Sequence, residues 1–129
     1  MILKSFELTK IKLNNYKFYL FYGDNEGLKE ESIKNLFEKN YQDKIHRYEE
    51  KEILDNINIF FNSVLTKSFF DNEKLIIINR TTDKIRTIIE ELMEKNPEDI
   101  QIILNSKNLE KKSTLRKLFE KEKSIVCVP

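Results

Sequence analysis

The fold of this chain turns on one stretch, Phe18-Tyr19-Leu20-Phe21-Tyr22-Gly23-Asp24-Asn25-Glu26-Gly27-Leu28-Lys29-Glu30. An unbroken aromatic and apolar run of strand length, closed by a glycine, predicts a strand buried on both faces. Asp24 and Asn25 then offer a helix N-cap, and Ile33, Leu36 and Phe37 recur at helical spacing up to about Asn40. A buried strand that runs straight into a helix is the first half of a βαβ unit.

Downstream the pattern repeats. Lys44 to Tyr48 reads as a short second strand. Glu50 to Leu65 carries the strongest helical periodicity in the chain, through Ile53, Leu54, Ile57, Phe60, Phe61, Val64 and Leu65. Thr66 to Asn72 is a connector, and Lys74 to Asn79 is a third strand. Thr81, Thr82 and Asp83 open a helix whose face is Ile85, Ile88, Ile89, Leu92 and Met93, and Asn96-Pro97 stops it. Ile100 to Leu104 is a fourth strand, Leu109 to Lys121 a helix, and Ile125 to Val128 a fifth strand. Upstream, Phe6, Leu8, Ile11 and Leu13 fit either an edge strand or a short helix. Central strands that are apolar throughout need helices on both sides of a mostly parallel sheet. The expectation is a single α/β domain over residues 1–129, three layers deep, with about five strands. The stop just after a strand suggests a piece of a longer protein.

Composition narrows the function classes. With 23 Lys and Arg against 22 Asp and Glu, no net field draws the chain to nucleic acid. A hydrophobic content of 40% is too high for a disordered chain. The single cysteine, Cys127, excludes an internal disulfide and fits a reducing, cytoplasmic setting. No apolar run has the length of a membrane span, so no membrane role is expected.

Ligands of open α/β sheets sit at the carboxyl ends of the strands. There Gly23 to Glu30 invites comparison with a phosphate-binding P-loop, whose glycines and lysine cradle phosphates at a helix N-terminus. The residues depart from it. Three residues separate Gly23 from Gly27 where four are needed. Leu28 holds the lysine position, Lys29 is one place late, and Glu30 replaces the Ser or Thr that would hold magnesium. Asp24 and Glu26 add negative charge beside the phosphate position, and the third strand ends in Asn79-Arg80 rather than an acid. A turn and helix cap accounts for the loop, and no nucleotide, metal or other cofactor is expected.

No catalytic set emerges elsewhere. His46 is the only histidine, which leaves a metal cluster or a Ser-His-Asp group little to build on. Cys127 lies in an apolar strand with no base beside it and reads as a structural thiol. The acidic pairs Glu30-Glu31, Glu49-Glu50 and Glu90-Glu91 read as solvent-facing. Lys107, Lys111, Lys112, Arg116, Lys117, Lys121 and Lys123 gather in and around the last helix, but Glu110, Glu120 and Glu122 are interleaved. A solvated helix face fits better than a DNA-binding surface. Phe69 and Phe70 stand out, because adjacent side chains point in different directions and polar Asp71-Asn72-Glu73-Lys74 follows. They fit either an interface anchor or a plug between the preceding helix and the sheet.

Three segments carry a family resemblance: Tyr19 to Leu28, Ser68 to Ile78, and Ile102 to Leu109 with Lys111 to Leu115 and the closing Val126-Cys127-Val128-Pro129. In this order and spacing they resemble the N-terminal domain of the DNA polymerase III delta subunit. The resemblance implies an AAA+-like, P-loop-like fold that has lost its nucleotide site. It implies a non-enzymatic part of a DNA polymerase holoenzyme, which binds the ring-shaped sliding clamp and favours its open form. The clamp-binding pair implied is Phe69 and Phe70, presented by Ser68, with Lys67 where the family often has an apolar residue. The implied partners are the clamp and, through a C-terminal part beyond this chain, the other loader subunits, with DNA met only weakly or indirectly. Two alternatives stand beside it. One is a divergent P-loop NTPase that uses Lys29, and the other is an interaction module of a different assembly.

Overall fold

The computed structural model describes residues 2–4, 16–41, 44–65, 73–97, 99–121 and 125–128. Among these residues, six strands form one sheet, all pairings parallel. They are β1 (Ile2–Lys4), β2 (Phe18–Tyr22), β3 (Ile45–Glu49), β4 (Lys74–Thr81), β5 (Ile100–Ser106) and β6 (Ile125–Val128), in spatial order β1-β6-β2-β5-β4-β3. The expected count of about five rises to six because the start of the chain supplies an edge strand at Ile2–Lys4. Phe6, Leu8, Ile11 and Leu13 lie outside the described residues.

The helices are α1 (Glu26–Ile33), α2 (Lys39–Tyr41), α3 (Glu50–Asp55), α4 (Ile57–Leu65), α5 (Arg86–Lys95) and α6 (Thr114–Lys121). They cover both faces of the sheet, as the apolar strands require. One face packs Leu20, Ile76, Ile78, Ile102 and Leu104 against Ile53, Phe60, Ile89, Leu92, Leu115 and Phe119. The other packs Tyr19, Phe21, Leu75, Ile77 and Ile103 against Ile33 and Phe37. The alternation of side chains along each strand produces this division.

Four boundaries differ from the sequence reading. The run from Glu50 to Leu65 breaks at Asn56, whose carbonyl accepts the Phe60 N–H at 3.1 Å and starts a second helix. Asp55-Asn56 favours such a cap over a helix interior. Between α1 and α2, Lys34–Glu38 form a π turn that places Phe37 edge-on to Tyr19, ring centroids 4.7 Å apart. The wider turn offsets the drift of the 3.6-residue period and keeps Ile33, Phe37 and Tyr41 toward the sheet. The helix read from Leu109 starts instead at Thr114, because the Ser113 hydroxyl accepts the Arg116 N–H at 3.2 Å and caps it there. The third strand runs past Asn79 to Thr81 through a bulge in which Arg80 has φ 55°. The expected stop at Asn96 is met by a left-handed C-cap with φ 45°.

Candidate functional site

All strands are parallel, so their carboxyl ends share one edge. From β2 the chain crosses past β5 and β4 to β3, and from β5 it crosses back over β2 to β6. The connections therefore diverge between β2 and β5, and the crevice there is where a ligand of such a sheet binds.

The loop after β2 forms as expected at its start. Gly23 has φ 136°, a backbone region side chains avoid, which lets the chain turn out of the sheet. The Asn25 side chain accepts the Leu28 N–H at 3.0 Å and caps α1. Gly27 has no comparable duty: a Cβ there would lie 3.7 Å from Asn25 Oδ1, an ordinary contact.

Lys29 is the unexpected member. It is 1% exposed, and its Nζ donates to the Ser106 carbonyl oxygen at 2.6 Å and to Glu26 Oε1 at 2.7 Å. The ammonium thus bridges α1 and the end of β5 across the crevice. The Lys29 hydrogen bond holds the Glu26 carboxyl below the usual carboxylate range, and the Asn105 side chain and Lys107 act in the same direction. Asn105 donates to Asn79 Oδ1 at 3.2 Å, and the Ser106 and Thr81 hydroxyls are hydrogen-bonded to each other. One strand further on, the buried Glu50 carboxylate accepts from the Thr82 backbone N–H and from the Thr82 hydroxyl at 2.7 Å. This corrects the reading of Glu49-Glu50 as a solvent-facing pair: Glu50 is 5% exposed because it closes the turn that follows β4. Arg80 and Glu49 form an ion pair at the rim. The Arg116 guanidinium lies 5.1 Å over the Tyr22 ring and ties α6 to the end of β2.

The carboxyl edge is therefore knit together by its own side chains. The signal for Lys29 was in the sequence, because Lys29, Ile33 and Phe37 fall four residues apart on one inward stripe. Among the described residues, no three His, Cys, Asp or Glu side chains converge as a metal site requires. His46 is exposed on the edge strand β3. Glu30 and Glu31 face solvent. The basic residues around α6 are partly neutralised, Arg116 by Glu120 at 2.9 Å and Lys112 by Glu110 at 3.5 Å. Phe69, Phe70 and Ser68, the expected clamp contacts, lie outside the described residues, between the end of α4 and the amino end of β4.

The family model described as DNA polymerase III, delta subunit, matches residues 19–128. This chain belongs to the DNA polymerase III delta subunit family. The match takes in the strand-loop-helix stretch and the Phe69-Phe70 segment alike. Among solved structures, the Bacillus subtilis DNA clamp loader delta protein YqeN is similar, with a TM-score of 0.71 and 15% sequence identity. The likeness covers 97% of this chain and 42% of that one, so the chain spans less than half the length of that relative. At this identity the likeness is one of fold, and the delta-subunit fold is the α/β sheet described above. No curated protein matches the chain. No helix among the described residues is long and apolar enough to cross a membrane.

Proposed function

We propose that this chain is the clamp-binding domain of a clamp-loader delta subunit, acting in the cytoplasm on the DNA polymerase sliding clamp. The observation that carries this reading is the delta-family match over residues 19–128, which includes the Phe69-Phe70 segment. In the sequence that segment stands between α4 and β4. The helix before it, α4, leaves Ile59 at 63% and Leu65 at 37% exposure, so apolar surface continues toward the segment. Phe69 and Phe70, presented by Ser68, are the anchors. Burying both in a clamp pocket contributes roughly 3–6 kcal/mol before the costs of association.

The mechanism is conformational. A domain that binds the open clamp more tightly than the closed one shifts the clamp's population toward open by that difference in affinity. No covalent step and no cofactor of this domain takes part, and other loader subunits, held through the part of the protein beyond this chain, provide the nucleotide-driven work. DNA contact is indirect or weak, in keeping with the paired charges around α6. A divergent nucleotide hydrolase has less support, since the lysine it would use is bonded to Glu26 and Ser106.

The test is binding of this chain to the sliding clamp of its own organism, beside the Phe69→Ala/Phe70→Ala variant. Loss of binding in a variant with an unchanged circular dichroism spectrum supports the reading. Equal binding by both refutes the assignment to this pair, and no binding by either refutes the clamp itself as partner.

A further inference from the structure

Lysine keeps its ammonium in water almost everywhere, and burying that charge is costly unless oxygen partners replace the solvent. Lys29 is 1% exposed, so the crevice must supply such partners. It supplies the Glu26 carboxylate at 2.7 Å and the Ser106 main-chain carbonyl at 2.6 Å. Asn105, the neighbour of Ser106 on β5, alternates with it and faces the α1 side with Ile103, where its amide nitrogen donates to Asn79 Oδ1 at 3.2 Å. Its Oδ1 is buried and has no hydrogen-bond partner, in a residue that is itself 6% exposed.

A carboxylate and a main-chain carbonyl around one positive centre are the donors of a cation site, and the unpartnered Asn105 oxygen adds a buried acceptor on the same strand end. The polarity is the inverse of a phosphate cradle. With Lys29 taken away, the crevice would present lone pairs and a negative charge, which repel a phosphate and attract an ammonium. We propose that the crevice between β2 and β5 is a cation-binding site that the protein fills with its own Lys29 ammonium. The class of ligand that fits it, once the lysine side chain is shortened, is a small primary alkylammonium. The inference does not rest on the clamp reading.

Thermal unfolding of the chain, with Lys29→Met and Lys29→Ala, tests this. Lys29→Met keeps the length of the side chain and removes the charge, so its Tm falls by at least about 5 °C. Lys29→Ala falls further, and n-propylammonium chloride raises its Tm saturably, while equal potassium chloride, n-propanol, inorganic phosphate and ATP do not. The unsubstituted chain shows no response to any of them. Adding Glu26→Gln to Lys29→Ala removes the rescue. Should Lys29→Ala not fold in buffer, its refolding yield in n-propylammonium against n-propanol makes the same distinction. A Lys29→Met variant as stable as the parent overturns the proposal, because the charge is then not needed. Equal rescue by n-propanol overturns it as well, because the site is then only an apolar hole. Stabilisation by phosphate or ATP would make it an anion site and overturn it outright.

Discussion

The Asp83 carboxylate accepts a hydrogen bond from the Ser113 hydroxyl at 2.5 Å, across thirty residues of chain. The same Asp83 oxygen accepts the Leu115 N–H at 3.0 Å, while the Ser113 oxygen accepts the Arg116 N–H at 3.2 Å. One residue of the turn before α5 thus caps α6. These bonds, the Ser113 hydroxyl first, hold the Asp83 carboxyl below the usual carboxylate range. A depressed folded-state pKa adds stability that is present above the unfolded value of about 4 and is lost as pH falls through the folded value. Asp83→Asn should therefore cost about 1 kcal/mol near neutral pH. The gap between parent and variant should close as the solution is acidified below the ordinary carboxylate range. Urea unfolding of both proteins at a series of pH values checks it.

Arg80 holds φ 55° at the bulge of β4, with its side chain 73% exposed. A left-handed backbone costs a non-glycine residue roughly 1–2 kcal/mol, and an exposed ion pair such as Arg80–Glu49 returns about 0–1 kcal/mol. The strain exceeds the pair. Glycine gives back part of the gain through its freer unfolded chain. Arg80→Gly should leave the domain about 0.5 kcal/mol more stable, read from the denaturant midpoint. A loss of stability would mean that the ion pair outweighs the backbone.

Two tyrosines should resist ionisation. Burial, with a smaller push from Glu73, raises Tyr41 to about 12, and burial raises Tyr19 further. Groups whose pKa is raised on folding add stability below the unfolded value near 10 that is lost as pH climbs toward the folded one. In an ultraviolet titration of the five tyrosines, Tyr19 and Tyr41 should ionise last, together with the loss of circular dichroism. Tyr41→Phe should move that alkaline transition upward, while it gives up the hydroxyl bond to Gln101 Oε1 at 2.7 Å.

For the clamp, Phe69→Ala and Phe70→Ala should each weaken binding at least about tenfold, and the double variant about a hundredfold or more. Calorimetric titration with the clamp gives the numbers. Single substitutions with no effect would move the interface off this pair.

The central strands were legible because burial on both faces leaves little room for polar residues: β2, β4 and β5 read directly as Phe18–Tyr22, Lys74–Asn79 and Ile100–Leu104. The edges were less so. β3 is half exposed, and its alternation is diluted by His46 and Arg47. Helix ends were misjudged where a single cap decided them, as at Asn56 and Ser113, since apolar periodicity runs on through a cap. At the crevice, the sequence showed what was missing from a phosphate loop but not what had replaced it. The long-range partner of Lys29 is Ser106, 77 residues away, and only the sheet order brings the two together. Glu50 was misread for the same reason, because Thr82 lies across the strand ends.

The strand order also constrains how the chain comes together as it is made. β2 is hydrogen-bonded only to β5 and β6, which leave the ribosome after β3 and β4, while β3 and β4 form at the far side of the sheet. Until about residue 106 has emerged, the five apolar and aromatic residues of β2 have no strand to pair with. The nascent chain therefore carries this sticky segment unshielded until β5 follows it, and it is at that stage, rather than in the finished domain, that a chaperone would find most to hold.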